Sequence, residues 1–319
     1  MILVTGANGF VGSALLAALG TRAMAARGAV RRGEGPGLAV VGELDGHTDW
    51  TTALQGCRAV VHLAARVHVM DDRDSDPLQA YREVNVAATL CLATQAAEAG
   101  VQRFVYVSSI KVNGEATTGA PFRAMDAAGA VDPYGQSKLE AEQALLALAE
   151  RTRLEVVIVR PPLVYGPGVK ANFLNLIKLV RLGLPLPFGG IANARSMVAL
   201  DNLVDLLIVC CSHPHAPGQV FLVSDGVDLS TTQLVRMIAR ALGKRAWLLP
   251  VPAALVGGVA ALAGKRAAVD RLFGSLQVDI ADTRATLAWS PVVTPQQAID
   301  ATVNHFIHSN DERNNETSA

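Results

Sequence analysis

The first sixteen residues restrict most strongly what this chain can fold into. Ile2-Leu-Val-Thr is a short apolar run. Gly6, Gly9 and Gly12 follow at even spacing in Thr5-Gly-Ala-Asn-Gly-Phe-Val-Gly, and an Ala/Leu-rich stretch opens near Val11. A buried strand that feeds a glycine turn and then a helix N-terminus makes a phosphate site. The glycines let backbone approach a pyrophosphate, and the unpaired N–H groups and dipole of the helix attract it. The spacing is Gly-x-x-Gly-x-x-Gly, not the Gly-x-Gly-x-x-Gly of ordinary dehydrogenases. Three glycines can also serve a tight turn alone. Their place directly after a strand at the chain start favours the dinucleotide reading.

The rest of the chain repeats strand and helix. Arg27-Gly-Ala-Val-Arg-Arg reads as the end of a second strand. About twenty residues past such glycines, an Asp or Glu serves a ribose 2′-OH and an Arg suits a 2′-phosphate. Arg31 and Arg32 stand in that window with no carboxylate beside them in sequence, which favours NADP over NAD; two solvated arginines are the plain alternative. Ala59-Val-Val-His-Leu-Ala-Ala reads as a buried strand ending in small residues, with His62 a core histidine rather than a catalyst. Leu78 to Gly100 reads as one helix ended by glycine, with Asn85 a structural hydrogen-bonder inside it. Arg103-Phe-Val-Tyr-Val-Ser-Ser is a further strand, Pro133 opens a helix to about Arg151, Leu154 to Val159 is a strand, and Arg160-Pro-Pro begins a rigid crossover.

This alternation predicts an α/β, Rossmann-type doubly wound parallel sheet with a smaller C-terminal α/β substrate lobe. The nucleotide domain is expected over 1–166, completed by about 196–225, where Val198 to Cys211 and Gln219 to Val223 could return to the sheet. The substrate lobe takes 167–195 and 226–308, and the polar 309–319 is expected to be disordered.

Composition narrows the function. Twenty-eight Lys and Arg balance twenty-eight Asp and Glu, so the total charge supports neither nucleic-acid binding nor an anionic membrane surface. Cys57, Cys91, Cys210 and Cys211 form no Cys-x-x-Cys pair and read as reduced thiols, so a cytoplasmic, reducing compartment is expected. The N-terminus lacks a basic leader region. The acidic run Asp71-Asp-Arg-Asp-Ser-Asp-Pro reads as a solvated loop or helix cap, and no metal site is expected. Trp247 to Gly264 is apolar but marginal for a membrane span. It reads as a partly buried helix, with peripheral membrane contact over 247–264 left open.

The chemistry lies in a set of residues. Tyr134 and Lys138, four apart, share one helical face, and Ser109 ends the preceding strand. A tyrosine hydroxyl with its ordinary pKa of about 10 is a poor base at neutral pH. A nearby ammonium is expected to stabilise the phenolate. Tyr134 could then exchange a proton with an alcohol or ketone while a nicotinamide exchanges hydride, with Ser109 holding the same oxygen.

With Thr5 to Gly12, His62-Leu-Ala-Ala, Ser108-Ser109, Tyr134 to Lys138, Arg160-Pro-Pro-Leu-Val-Tyr-Gly-Pro-Gly and Arg195-Ser-Met-Val-Ala-Leu-Asp-Asn-Leu-Val-Asp in place, the chain resembles the extended short-chain dehydrogenase/reductases. The resemblance is to the nucleotide-sugar epimerase/dehydratase/reductase branch and covers nearly the whole length. It implies a catalytic triad of Ser109, Tyr134 and Lys138. It implies a cofactor held by Gly6, Asn8, Gly9, Phe10, Val11, Gly12, Arg31, Glu43, Leu44, Leu63, Ala64, Ala65, Tyr134, Lys138 and Pro161. For the substrate it implies Ser109, Asn172, Arg195 and Arg271, the two arginines gripping a diphosphate; surface salt-bridging is the plain alternative for both.

The departures matter. Related sugar 4,6-dehydratases carry an acidic pair straight after the catalytic Ser/Thr, where this chain has Ile110 and Lys111, so dehydration is not expected. Asn113 stands where a tyrosine is usual, and Glu43 where an aspartate is usual. The expected reaction is hydride transfer at C4 of a UDP-sugar in cell-surface polysaccharide synthesis, first as an NADPH-dependent reductase of a UDP-4-keto-6-deoxy-N-acetylhexosamine. A UDP-glucose or UDP-N-acetylglucosamine 4-epimerase with retained NAD(H) is the runner-up, and a non-catalytic NADP-binding scaffold is the alternative of another class. No nucleic-acid partner is expected, and a homodimer is one assembly left open.

Overall fold

The computed structural model describes residues 1–67, 76–252 and 272–316, with side chains through residue 309. Nine strands are present among them: β1 (Ile2–Thr5), β2 (Ala26–Val30), β3 (Leu38–Val40), β4 (Ala59–His62), β5 (Arg103–Val107), β6 (Glu155–Arg160), β7 (Leu163–Tyr165), β8 (Met197–Ala199) and β9 (Val220–Leu222). Seven of them form one parallel sheet in the order β3-β2-β1-β4-β5-β6-β9. Helices cover both faces of such a sheet, so its central strands read as unbroken apolar runs. Every residue of β1 and β4 is buried, as are Arg103 to Tyr106 of β5 and Val156 to Arg160 of β6.

Alternate strand residues feed two separate cores. Val4, Val61, Val105 and Val157 pack with Leu15 and Leu19 of α1 (Phe10–Thr21) and with Leu203 and Leu207 of α7 (Leu200–Cys210). Leu3, Val60, Phe104 and Ile158 pack on the opposite face. There they meet Leu54 of α2 (Thr51–Leu54), Leu92 and Ala96 of α4 (Ala88–Glu98) and Leu145 of α5 (Pro133–Ala149). A third core belongs to the C-terminal lobe. Ile177 of α6 (Ala171–Arg181), Val235 and Ile238 of α8 (Thr231–Ala241), and Ile299 and Val303 of α10 (Pro295–Glu316) close over Tyr165 and Ala199. The short α9 (Ala281–Leu287) packs against β9.

Two details depart from the sequence reading. The expected helix from Leu78 to Gly100 is α3 (Pro77–Arg82), one wide π-turn over Glu83–Ala87, and then α4. The extra residue in that turn aims Asn85 inward, where it binds the Ser137 hydroxyl at 2.9 Å and the Arg66 backbone at 2.8 and 3.0 Å. Residues 198–211 do not join the main sheet: β8 pairs with β7 in a separate two-stranded sheet and α7 follows, while β9 takes the edge beside β6. The backbone of α10 runs to Glu316.

Of the acidic run, Asp76 accepts from Gln79 N at 3.1 Å and caps α3, and the rest lies outside the described residues. So does most of the apolar stretch from Trp247 to Gly264. Among the described residues, no helix is long and apolar enough to cross a membrane, and no group of three His, Cys, Asp or Glu side chains could hold a metal.

Candidate active site

After β1 the chain winds outward to β2 and β3, then crosses back to β4 on the other side of β1. The connections after β1 and β4 therefore diverge, leaving a crevice at the carboxyl ends of these two strands, where open α/β sheets bind ligands. The glycine turn fills one wall. Gly6 has φ of 63°, and a Cβ there would lie 3.0 Å from Ala64 N; a Cβ on Gly12 would lie 2.2 Å from Gly6 O. The turn is thus closed onto the first turn of α1 at a distance only glycine permits. Gly9 caps α1 without a side-chain hydrogen bond, which leaves the first-turn N–H groups facing the crevice. Asn8 is exposed, and Phe10 and Val11 are half-buried in that first turn. This cradle fits a dinucleotide pyrophosphate.

The far wall is Leu63, Ala64 and Ala65, all half-buried. Thr5 Oγ1 accepts from Leu63 N and Ala64 N at 3.1 Å each and lies 2.8 Å from His62 Nδ1. His62 is buried between Thr5 and Thr89 and against the rings of Phe104 and Tyr106. Burial lowers its pKa to about 3, with Lys138 adding repulsion, so the ring is neutral and structural.

Arg31 and Arg32 follow β2 and are exposed. They do not stand alone: the Glu43 carboxylate lies 3.3 Å from Arg31 Nη1 and 3.0 Å from Arg32 Nη2. The expectation of a site end without a carboxylate is corrected. The loop after β3 brings one twelve residues on, a pairing that local sequence cannot reveal. Leu44, next along, is half-buried against the core.

The reacting groups converge from β5 and α5. Tyr134 lies close enough to the Ser109 hydroxyl for that group to lower its pKa, and Ser109 Oγ accepts from Lys111 N at 3.3 Å. Ser108 is buried, and its hydroxyl has no partner. Lys138 Nζ donates to Val107 O at 3.0 Å and lies 6.0 Å from the Tyr134 ring centroid. The Tyr106 ring faces it more closely, at 4.7 Å. Pro161, at the end of β6, is buried, and its carbonyl accepts from Ile110 N at 3.0 Å.

Burial dominates the electrostatics of both groups. Burial pushes the Tyr134 hydroxyl up to about 12, against the Ser109 hydrogen bond that lowers it. Burial pushes Lys138 down to about 7, with Glu142 opposing. Burial thus works against the charged form of both groups, and Lys138 is not among the causes that act on Tyr134.

Further residues support these groups. Glu142 continues the face of Tyr134 and Lys138 by one more turn and accepts from the buried Arg160 guanidinium at 2.9 Å. Arg160 also donates to Asn113 Oδ1 at 3.0 Å. Asn113 is thus a strut beneath the site. The 134, 138, 142 periodicity was the available signal for Glu142; Tyr106 in a uniformly apolar strand offered none.

The substrate residues are dispersed. Asn172 is exposed on α6. Arg195 is half-buried between chain segments, its backbone bridging Leu229 and Leu276 and its Nη1 donating to Gly274 O at 3.0 Å. Arg271 lies outside the described residues.

Comparison with known proteins agrees with this geometry. Residues 2–224 match the model of the NAD dependent epimerase/dehydratase family. A Vibrio cholerae protein named UDP-glucose 4-epimerase is 50% identical over 316 residues, 97% of this chain and 96% of its own. An Escherichia coli O157:H7 protein named N-acetyl-alpha-D-glucosaminyl-diphospho-ditrans,octacis-undecaprenol 4-epimerase is 27% identical over 97% of this chain and 96% of its own. The solved structure of MoeE5 with UDP-glucose and NAD superposes with a TM-score of 0.77 at 25% identity, covering 97% of this chain and 99% of that one. The chain is an enzyme of the NAD dependent epimerase/dehydratase family, an extended short-chain dehydrogenase/reductase.

Proposed function

We propose that this enzyme is a UDP-sugar 4-epimerase that works with bound NAD. The observation that carries the reading is Tyr134 set beside Ser109 and the Lys138 ammonium, in a fold whose glycine turn opens α1. The 50% identical relative and the similar structure bearing UDP-glucose and NAD support the substrate class and cofactor. Lys138 would hold the nicotinamide ribose, and Gly6, Gly9 and Gly12 the pyrophosphate. A bound oxidised nicotinamide supplies a hydride acceptor and a positive charge.

That charge would help the half-buried Tyr134 to give up its proton near neutral pH. Deprotonated Tyr134 would then take the proton of the C4 hydroxyl. Ser109 and the newly protonated Tyr134 hold the ketone oxygen. Tyr134 would return the proton to the C4 oxygen as hydride came back to the other face, which would complete the inversion. Arg195, with Asn172 and Arg271, is assigned to the sugar nucleotide.

A second reading, reduction of a UDP-4-keto-6-deoxy-N-acetylhexosamine by NADPH, is favoured by Arg31 and Arg32 at the end of β2. Against it, Glu43 already contacts both guanidinium groups and would repel a 2′-phosphate. The deciding experiment offers UDP-glucose or UDP-N-acetylglucosamine without added cofactor and follows the C4 epimer by NMR, beside a UDP-4-keto sugar with NADPH or NADH followed by absorbance. Epimer formation is the expected result. Stoichiometric oxidation of NADPH with no epimerisation would replace the proposal by the reductase. Glu43→Gln separates the cofactor question: it should raise affinity for NADP relative to NAD in a fluorescence titration, because both arginines are then released.

A further inference from the structure

The balanced total charge conceals a segregation. From Val156 to Leu200 the chain holds no Asp or Glu, and none again from Leu229 to Val269; every charged residue in both stretches is Lys or Arg. The described parts of these stretches build the C-terminal lobe. Lys178 on α6, Arg236 and Arg240 on α8, and Arg245 beyond it are exposed, and among the described residues none of the four has a salt bridge.

The same end of the lobe exposes apolar side chains. Leu182 and Leu184 follow α6, and Trp247 and Leu249 lie beyond α8; their exposures run from 51% to 64%. Hydrogen bonds place the two loops side by side: Leu186 N donates to Trp247 O and Leu249 N to Leu186 O, each at 2.8 Å. Lys244 Nζ adds a tie to Arg181 O. The result is a ridge of leucine and tryptophan with cations beside it and no carboxylate in either contributing segment. A tryptophan and leucines amid unpaired Lys and Arg are the composition of a surface that rests in the interfacial zone of an anionic bilayer, the rings among headgroups and the cations on phosphates.

We propose that the lobe end formed by Leu182, Leu184, Trp247 and Leu249, with Arg240 and Arg245, docks reversibly on anionic phospholipid membranes. A basic patch alone would suit any polyanion; the exposed tryptophan and leucines favour the bilayer. The inference stands independently of whether the enzyme epimerises or reduces.

The chain carries its own reporter. It has three tryptophans, of which Trp50 and Trp289 are 1% and 4% exposed and Trp247 is 60% exposed. The test adds the full-length protein to vesicles of phosphatidylglycerol and, separately, of phosphatidylcholine, and reads tryptophan emission and vesicle flotation. Phosphatidylglycerol should shift the emission to the blue and float the protein; phosphatidylcholine should bind at least about tenfold more weakly. Arg240→Glu with Arg245→Glu should reduce phosphatidylglycerol binding by about tenfold or more, with dinucleotide affinity unchanged as the folding control. Leu184→Ser should weaken flotation in the same way without altering charge. Absence of flotation and of the shift overturns the proposal. So does equal binding to both lipids, binding untouched by these variants, or a blue shift that grows with protein concentration in the absence of vesicles, which would mark the ridge as a self-association surface.

Discussion

Tyr134 and Lys138 are neighbours whose ionisation burial controls more than their mutual charge does. Only the Tyr134 hydroxyl carries the proton, while its ring also packs against Tyr81 at 6.0 Å between centroids. Tyr134→Phe is therefore expected to abolish turnover and leave dinucleotide affinity nearly intact; substantial residual turnover of a UDP-sugar would remove the residue from the chemistry. Lys138 carries a stability signature. Its folded pKa, about 7, lies below its ordinary value of 10.5, so between these values the unfolded chain binds the extra proton and stability rises with pH. Measured from pH 7 to 9, the urea midpoint of Lys138→Met should lack this contribution, rising less steeply than that of the parent protein. Equal slopes would mean that Lys138 stays fully protonated in the fold.

At the scale of elements, the junction of β1 and α1 depends on the missing side chain of Gly12. A methyl group there would meet Gly6 O at 2.2 Å, and backbone on both sides prevents an easy retreat. Gly12→Ala should cost about 1–3 kcal/mol, the usual range for overpacking. It should also weaken dinucleotide binding, since α1 must move off the turn that it helps to shape; denaturation and cofactor titration of the same sample check both. Unchanged binding would detach the cradle from the cofactor. The π-turn is the second such device. Its Asn85 ties Ser137 on α5 to the Arg66 backbone, which directly follows the Leu63–Ala65 wall of the crevice.

Across the whole molecule, the nucleotide fold and the C-terminal lobe share segments, because β7 and β8 pair with each other outside the main sheet and β9 then returns to it. Arg195 lies two residues before β8, its backbone bridged to Leu229 and Leu276. Arg195→Ala should raise the KM for a UDP-sugar and the inhibition constant for free UDP at least about tenfold, since one hydrogen bond from a charged group contributes about 1.5–3 kcal/mol. Dinucleotide affinity should hold. Inhibition by UDP that is unchanged in the variant would show that Arg195 does not grip the diphosphate.

Sequence alone determined what local pattern can carry. Apolar runs of strand length alternating with helices specify a parallel sheet, the glycine spacing specifies a tight turn at its first helix, and the four-residue spacing of Tyr134 and Lys138 puts them on one face. These features arise from backbone sterics and periodicity within a few residues. Tertiary structure decided what depends on groups far apart in the chain. Glu43 reaches Arg31 and Arg32 only because β3 lies beside β2; Arg160 is neutralised by Glu142 only because β6 ends beneath α5. The ionisation of Tyr134 and Lys138 likewise follows from burial, which no spacing encodes. Sequence lists the charges, but the fold sets their distances and the water between them, and Coulomb energy and desolvation depend on both.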